Sequence, residues 1–344
     1  MKELHEERIA MKKIFRILTA LIMLTAVISL TGCGEDNSKA KVVRIGTMNL
    51  INGDLIVQQE KWYENELGIK ARITYFDSVR NVRAAIEEGS IDIAQLGSVP
   101  AAINIADNLN VEVFWIGAVL GTAESLVVKK DSGIESLHDL IGQRVGTPFS
   151  STAHYSLMQA LKLENIDSRQ VQIMDLQPDD ILAAWNRGDI EAAYVWFPVL
   201  EDLFQNNGVA ITNSYQLARK GVVTADVNIV QRSFAEKNPE VVSKFVELQL
   251  RANDMIKKDH EHAVKDISAL LSIDDSVSNM LLMQYEYLDV DEEIDYLDNR
   301  MPQILKSTAD FLFEQGKIPN SPPLESFKFG VNSEYVKRAV ENMR

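Results

Sequence analysis

The sequence predicts a two-lobed α/β fold, with mixed, mostly parallel sheets flanked by helices. Short apolar, strand-like runs alternate with helix-patterned stretches from residue 42 to about residue 231, and such alternation builds largely parallel sheets. One theme also occurs twice. Glu88-Gly89-Ser90-Ile91-Asp92-Ile93-Ala94 and Arg187-Gly188-Asp189-Ile190-Glu191-Ala192-Ala193 each join a helix end, a Gly turn, an acidic residue and an apolar strand. Generic turn chemistry gives the same pattern, so the theme gains weight from the like order of elements around it. Finally, 344 residues, 46% hydrophobic and 25% charged, have an ordinary globular balance and are too many for one small core.

The elements follow in order. Residues 42–46 read as a strand. Residues 54–67 have helical spacing through Leu55, Val57 and Trp62, closed by Gly68. A strand over 70–76 leads to Asp77-Ser78, which can cap a helix over 79–88 that Gly89 ends. After a strand over 91–96, Gly97-Ser98-Val99-Pro100 turns into a small-residue helix to about 106, with Pro where its missing N–H is tolerated. Residues 111–118 and 125–129 are strands. The second set runs strand 144–147, helix to about 163, strand 171–175, helix from Gln177-Pro178 to Gly188, strand 191–196, and a helix after Pro198. Residues 226–231 form another strand, and beyond Ser233 nearly everything is helical.

The N-terminus has the shape of a secretory leader. Lys12, Lys13 and Arg16 precede a run from Ile17 to Leu30 almost free of charge, and Leu30-Thr31-Gly32-Cys33 follows. It resembles a bacterial lipoprotein signal over 1–32, with Cys33 as the acylated residue and 33–40 as a polar tether. Met11 is an alternative start. A spanning anchor is the competing reading, but the apolar run is short and ends in small and polar residues. Lipid would hold the protein on the outer face of the cytoplasmic membrane. Cys33 is the single cysteine, so the body holds no disulfide, thiol nucleophile or cysteine metal site. A net charge of −15 disfavours nucleic acid, although solubility alone accounts for such acidity.

Catalytic signatures are missing. The chain contains no G-x-x-x-x-G-K-[ST], G-x-G-x-x-G or G-x-S-x-G, and His260-Glu261-His262 is not H-E-x-x-H. No cofactor or metal is expected. The most telling constellation is Ser150-Ser151-Thr152-Ala153-His154-Tyr155, between a strand and a helix. Free N–H groups at a helix start, with hydroxyls beside them, bind an oxyanion without a buried cation; plain N-capping is the alternative. Gly97-Ser98 offers a weaker site of the same kind. Glu124 and Asp226 stand at the starts of apolar strands, where a charge needs a partner: a ligand ammonium, or a Lys or Arg. Trp196 ends a strand and offers a ring face to a cation, or else packs in the core.

Several stretches together are similar to the taurine-binding proteins of sulfonate ABC importers over roughly residues 41–325. They are Ala94-Gln95-Leu96-Gly97-Ser98-Val99-Pro100, Ala123-Glu124-Ser125-Leu126, Ser151-Thr152-Ala153-His154-Tyr155-Ser156-Leu157, Ala184-Trp185-Asn186-Arg187-Gly188-Asp189 and Tyr194-Val195-Trp196-Phe197-Pro198. The resemblance implies a two-lobed periplasmic-binding-protein-like fold of type II that closes on ligand by hinge motion. Lobe one would take 41–124 and 227–344, and lobe two 125–226. Gly97, Ser98, Ser151 and Thr152 would hold the sulfonate, with His154 beside them. Asp226 and Glu124 would hold the amine, and Trp196 and Tyr155 would wall the cleft. In the loop after the first strand, where this family tends to carry a glutamate, the chain offers Asn52. Asn228 stands where the family often has an aromatic residue.

The implied protein is an extracytoplasmic solute-binding lipoprotein, monomeric, serving an ABC permease and ATPase by capturing taurine or a similar small sulfonate. Other ligands of the wider family (alkanesulfonate, nitrate, pyrimidine) and a ligand-presenting sensor remain open. An enzyme on the same fold would rely on a cysteine-rich motif that the body lacks.

Overall fold

The computed structural model describes residues 41–48 and 50–344; the leader and the whole tether, Cys33 included, lie outside them. The described strands are β1 (Val42–Thr47), β2 (Lys70–Tyr75), β3 (Ile93–Gly97), β4 (Val111–Leu120), β5 (Glu124–Lys129), β6 (Arg144–Thr147), β7 (Gln172–Asp175), β8 (Ala192–Trp196), β9 (Gly208–Asn213), β10 (Ala225–Gln231) and β11 (Tyr285–Glu286). They form two sheets, one ordered β11-β4-β10-β3-β1-β2 and the other β7-β6-β8-β5-β9. Strands β1, β2 and β3 are mutually parallel, and β10 runs against both β3 and β4. In the second sheet β6, β7 and β8 are parallel, and β5 runs against both β8 and β9. Most strands of each sheet therefore share one direction, as the βα alternation requires.

The repeated theme is a shared joint. In the first sheet the Arg44 backbone N–H and Nε donate to Asp92 Oδ2 at 2.8 and 2.9 Å, and its Nη1 donates to the Gly89 carbonyl at 2.7 Å. In the second, the Arg144 N–H and Nε donate to Glu191 Oε2 at 2.9 and 3.1 Å, and its Nη2 donates to the Gly188 carbonyl at 3.0 Å. Each acidic residue thus satisfies a strand N–H and holds the arginine that fixes a helix-closing turn.

The second sheet is covered on both faces. Leu126 and Val128 point into one apolar cluster, with Leu157 and Leu161, while Val127 points into another, with Val195 and Leu203. This is the period-two alternation of a strand buried on both sides. The first sheet carries the largest cluster, around Ile45, Ile93, Trp115 and Val227. Helices Pro239–Lys258 and Met301–Glu314 add Phe245, Leu305 and Phe311 to it.

The chain leaves the first sheet after β4 and returns before β10. The Leu120 N–H donates to the Thr224 carbonyl at 3.0 Å, so the two crossings touch. Strand β11 pairs with Val119 and Leu120 beside them. A Cβ on Gly121 would lie 2.3 Å from the Gln284 carbonyl oxygen, so only glycine fits there.

Four elements differ from expectation. The helix expected over 54–67 is two, Gly53–Gln59 and Trp62–Glu66, broken at Lys61 with φ 57°. The break turns Tyr63 into the core, stacked on Phe245 at 5.4 Å, and sets Trp62 under the Arg251 guanidinium. Strand β9, whose Val209 is exposed, and helix Ser214–Ala218 carry no clear periodicity. Strand β11 is two residues long and exists through its pairing with β4.

Candidate functional site

Where the carboxyl ends of the parallel strands meet the crossings, the two sheets enclose a pocket of about 30 Å³. Such a position is where open α/β sheets hold ligands. Gly97, Glu124, Ser151, Thr152, Trp196 and Asp226 all line it. These residues come from the ends of β3 and β8, the starts of β5 and β10, and the start of helix Thr152–Leu163.

One side of the pocket is anionic. Asp226 is paired in the ladder with Gly97 and Ala118, and a register shift follows it, a local irregularity of the kind that re-aims a side chain. It is 5% exposed, and its carboxylate has no hydrogen-bond or ion-pair partner among the described residues. Burial, then the charge of Glu124, push its pKa well above the usual range. Glu124 is equally buried. It accepts the Thr152 hydroxyl and, at 3.4 Å, the Ser214 hydroxyl. Burial outweighs these bonds and raises its pKa to about 7. Two buried carboxylates without a protein cation are costly when ionised, and a bound cation would lower both pKa values. Trp196, half-buried and paired with Glu124 across β5 and β8, presents its ring to the same space.

Beside the carboxylates lies a helix start, whose first residue, Thr152, donates its hydroxyl to Glu124. Ser151 caps helix Thr152–Leu163 by accepting the His154 N–H at 3.1 Å, and it donates its own proton to the Pro148 carbonyl at 2.6 Å. The hydroxyls expected to be free donors are thus engaged within the chain. The first-turn N–H groups of Thr152 and Ala153 remain, together with the positive end of the helix dipole. Helix Ser98–Ala106 also starts at the pocket, behind Gly97, with no side-chain cap.

Four expected residues lie elsewhere. Asn52 caps helix Gly53–Gln59 by accepting the Asp54 N–H at 3.0 Å, and its amide lies against Gly117. Ser98 is fully buried, and its Oγ accepts the Ala225 N–H at 3.2 Å, tying the returning crossing to the helix. His154 stacks on Phe149 at 4.4 Å, and its burial lowers its pKa to about 4. Tyr155 packs edge-on against Phe311 at 5.3 Å, where the two sheets' helices meet. Asn228 is buried between Gln95 and Trp115. Sequence reasoning missed Tyr285, which lines the pocket from β11; burial first, then the nearby Asp226 charge, raises its pKa. Met48, Val79 and Pro100 were missed as well. They join the pocket to a groove of about 430 Å³ lined by Arg80, Arg83 and Phe149. Aromatic content at 285–287 was the one signal for Tyr285, and nothing local marked the apolar three.

Comparison with known proteins places this geometry. The NMT1/THI5-like family matches residues 52–263. The taurine-binding periplasmic protein of Escherichia coli (strain K12) is 37% identical over 271 residues, covering 77% of this chain and 83% of that protein. The crystal structure of the periplasmic aliphatic sulphonate binding protein SsuA from Escherichia coli aligns with TM-score 0.72 and 19% identity, covering 85% of this chain and 98% of that one. The alkanesulfonate-binding protein SsuA from Xanthomonas axonopodis pv. citri, bound to MOPS, aligns with TM-score 0.71 and 19% identity, covering 84% and 98%. The last two establish the periplasmic-binding-protein fold. By the extent of the family match and by the identity to the taurine-binding relative, the chain belongs to the NMT1/THI5-like family of periplasmic binding proteins.

Proposed function

We propose that the protein captures taurine, or a closely similar small aminosulfonate, between its two sheets and delivers it to an ABC permease and its ATPase. The observation that carries this reading is the pair of buried carboxylates, with Asp226 unpartnered among the described residues, lining one small pocket together with a helix start. Taurine is a zwitterion with a sulfonate ionised at every physiological pH and an ammonium. The first-turn N–H groups suit the former. Asp226, Glu124 and the Trp196 ring suit the latter, and pairing both ends offsets a desolvation cost of several kcal/mol. Residues 41–124 with 227–344 and residues 125–226 act as two lobes that close on the ligand. Cys33 carries the lipid that holds a monomer to the outer face of the cytoplasmic membrane. The protein performs no chemistry on its ligand: the described residues that line the pocket include no activated nucleophile, and the one cysteine, Cys33, precedes the folded body.

Calorimetry on Asp226→Ala tests the amine assignment. Taurine binding is lost, while an alkanesulfonate without an amine loses much less; equal losses overturn the assignment. The adjoining groove supports a second reading, a larger sulfonate whose tail extends past Trp196. A thermal-shift panel of taurine, hypotaurine, alkanesulfonates, nitrate and pyrimidines separates the two, because a ligand of the native state raises Tm.

A further inference from the structure

His260 and His262 are two apart and do not share a helix face. Helix His260–Leu271 instead sets His262 and Asp266 four apart, on one face, and the fold brings Glu60 against them from the end of helix Gly53–Gln59. His262 Nε2 lies 3.4 Å from Glu60 Oε1 and 3.7 Å from Asp266 Oδ1. The three ligand atoms all lie within 4.8 Å of one another. Ligands held at about 2.0–2.2 Å around a tetrahedral ion stand about 3.3–3.6 Å apart, so a small side-chain movement completes the set.

A second observation points to a ligand. Asp266 is 7% exposed, and its Oδ2 has no hydrogen-bond partner among the described residues. No Lys or Arg pairs with Glu60 or Asp266 among the described residues; His262 alone does. His262 Nδ1, in turn, lies 3.6 Å from Asp259 Oδ2, an outer carboxylate of the kind that orients a metal-bound imidazole. The His262 side chain is 45% exposed, leaving an entry path and an open position for water. None of the four residues lines the pocket between the sheets.

We propose that Glu60, His262 and Asp266 form a divalent transition-metal site of the zinc type, which ties helix His260–Leu271 to the end of helix Gly53–Gln59. One imidazole with two carboxylates is a donor set for such ions. The site takes the place of a cation that the fold does not otherwise supply, and it acts on stability rather than on the ligand pocket.

The test uses the tag-free full chain, stripped with a chelator and titrated with ZnCl2 at pH 7.5 in a calorimeter. One site per chain is expected, with affinity at least tenfold weaker in His262→Ala and in Glu60→Gln, and with Tm raised by zinc in the wild type alone. Binding that is absent from the wild type, or equal in the variants, overturns the proposal. The Co2+-loaded wild type gives a reading independent of any variant: a paramagnetically shifted imidazole N–H resonance is expected, and a spectrum without one overturns the site.

Discussion

Gly97 and Thr152 meet at the pocket: a Cβ built on Gly97 would lie 2.7 Å from the Thr152 methyl. Gly97 ends β3 of the first sheet, and Thr152 opens the helix that follows β6 of the second. No side chain fits between them without separating the two walls of the pocket.

Gly97→Ala therefore weakens taurine binding by tenfold or more while leaving the unliganded protein folded, because a closed cleft needs the contact and an open one does not. Calorimetry and small-angle scattering measure it. Unchanged affinity, or unchanged compaction on adding taurine, counts against the closure geometry.

Glu124 predicts a pH dependence with a definite sign. Its pKa in the folded chain is about 7, against an ordinary 4.5, so folding favours the protonated form. The stabilisation is complete below about pH 4.5 and is lost as pH rises through about 7, a change of about 3 kcal/mol at most. Asp226 is raised too and acts in the same direction. Urea unfolding between pH 4.5 and 8 shows the effect as the difference between wild type and Glu124→Gln, in which this slope disappears. Parallel curves for the two proteins would falsify the assignment.

Trp196→Ala removes the ring beside both carboxylates. Taurine affinity falls about tenfold, within the ~1–2 kcal/mol range of a desolvated cation–π contact, and Trp196→Phe recovers part of it. An alkanesulfonate without an amine loses less. Identical losses for the two ligands assign the ring to shape alone.

Asp92→Asn and Glu191→Gln break the matching joints of the two sheets. Each costs about 1 kcal/mol, below the usual value for charged hydrogen bonds because Arg44 and Arg144 are 38% and 40% exposed. Each lowers Tm without changing the calorimetric affinity for taurine. A loss of affinity at constant stability contradicts a purely architectural role.

Local signals made much of this legible in the sequence. Pro178 at a helix start and Gly188 in the left-handed region at its end bracket a helix that the residues alone define. The repeated Gly-x-x-acid pattern marked the Arg joints without revealing the arginines, because Arg44 and Arg144 are distant in sequence from their partners. Ser151 was recognisable at a helix start, yet which way its proton points depends on the Pro148 carbonyl. Asn52 and Ser98 carry polar groups that suit a ligand equally well, and the fold uses both on backbone N–H groups instead. Tyr285 reaches the pocket only through the pairing of β11 with β4, a contact between segments about 165 residues apart that no local pattern encodes.

The touching crossings at Leu120 and Thr224 make the second sheet a topological insertion, a continuous stretch whose entrance and exit lie side by side. A rotation of that stretch bends few backbone bonds, so a small torsional change at the crossings swings distant edges through a large arc. Paired spectroscopic labels on Lys162 and Glu314, which face each other across the two halves at 3.4 Å, would then work as a gauge of ligand occupancy.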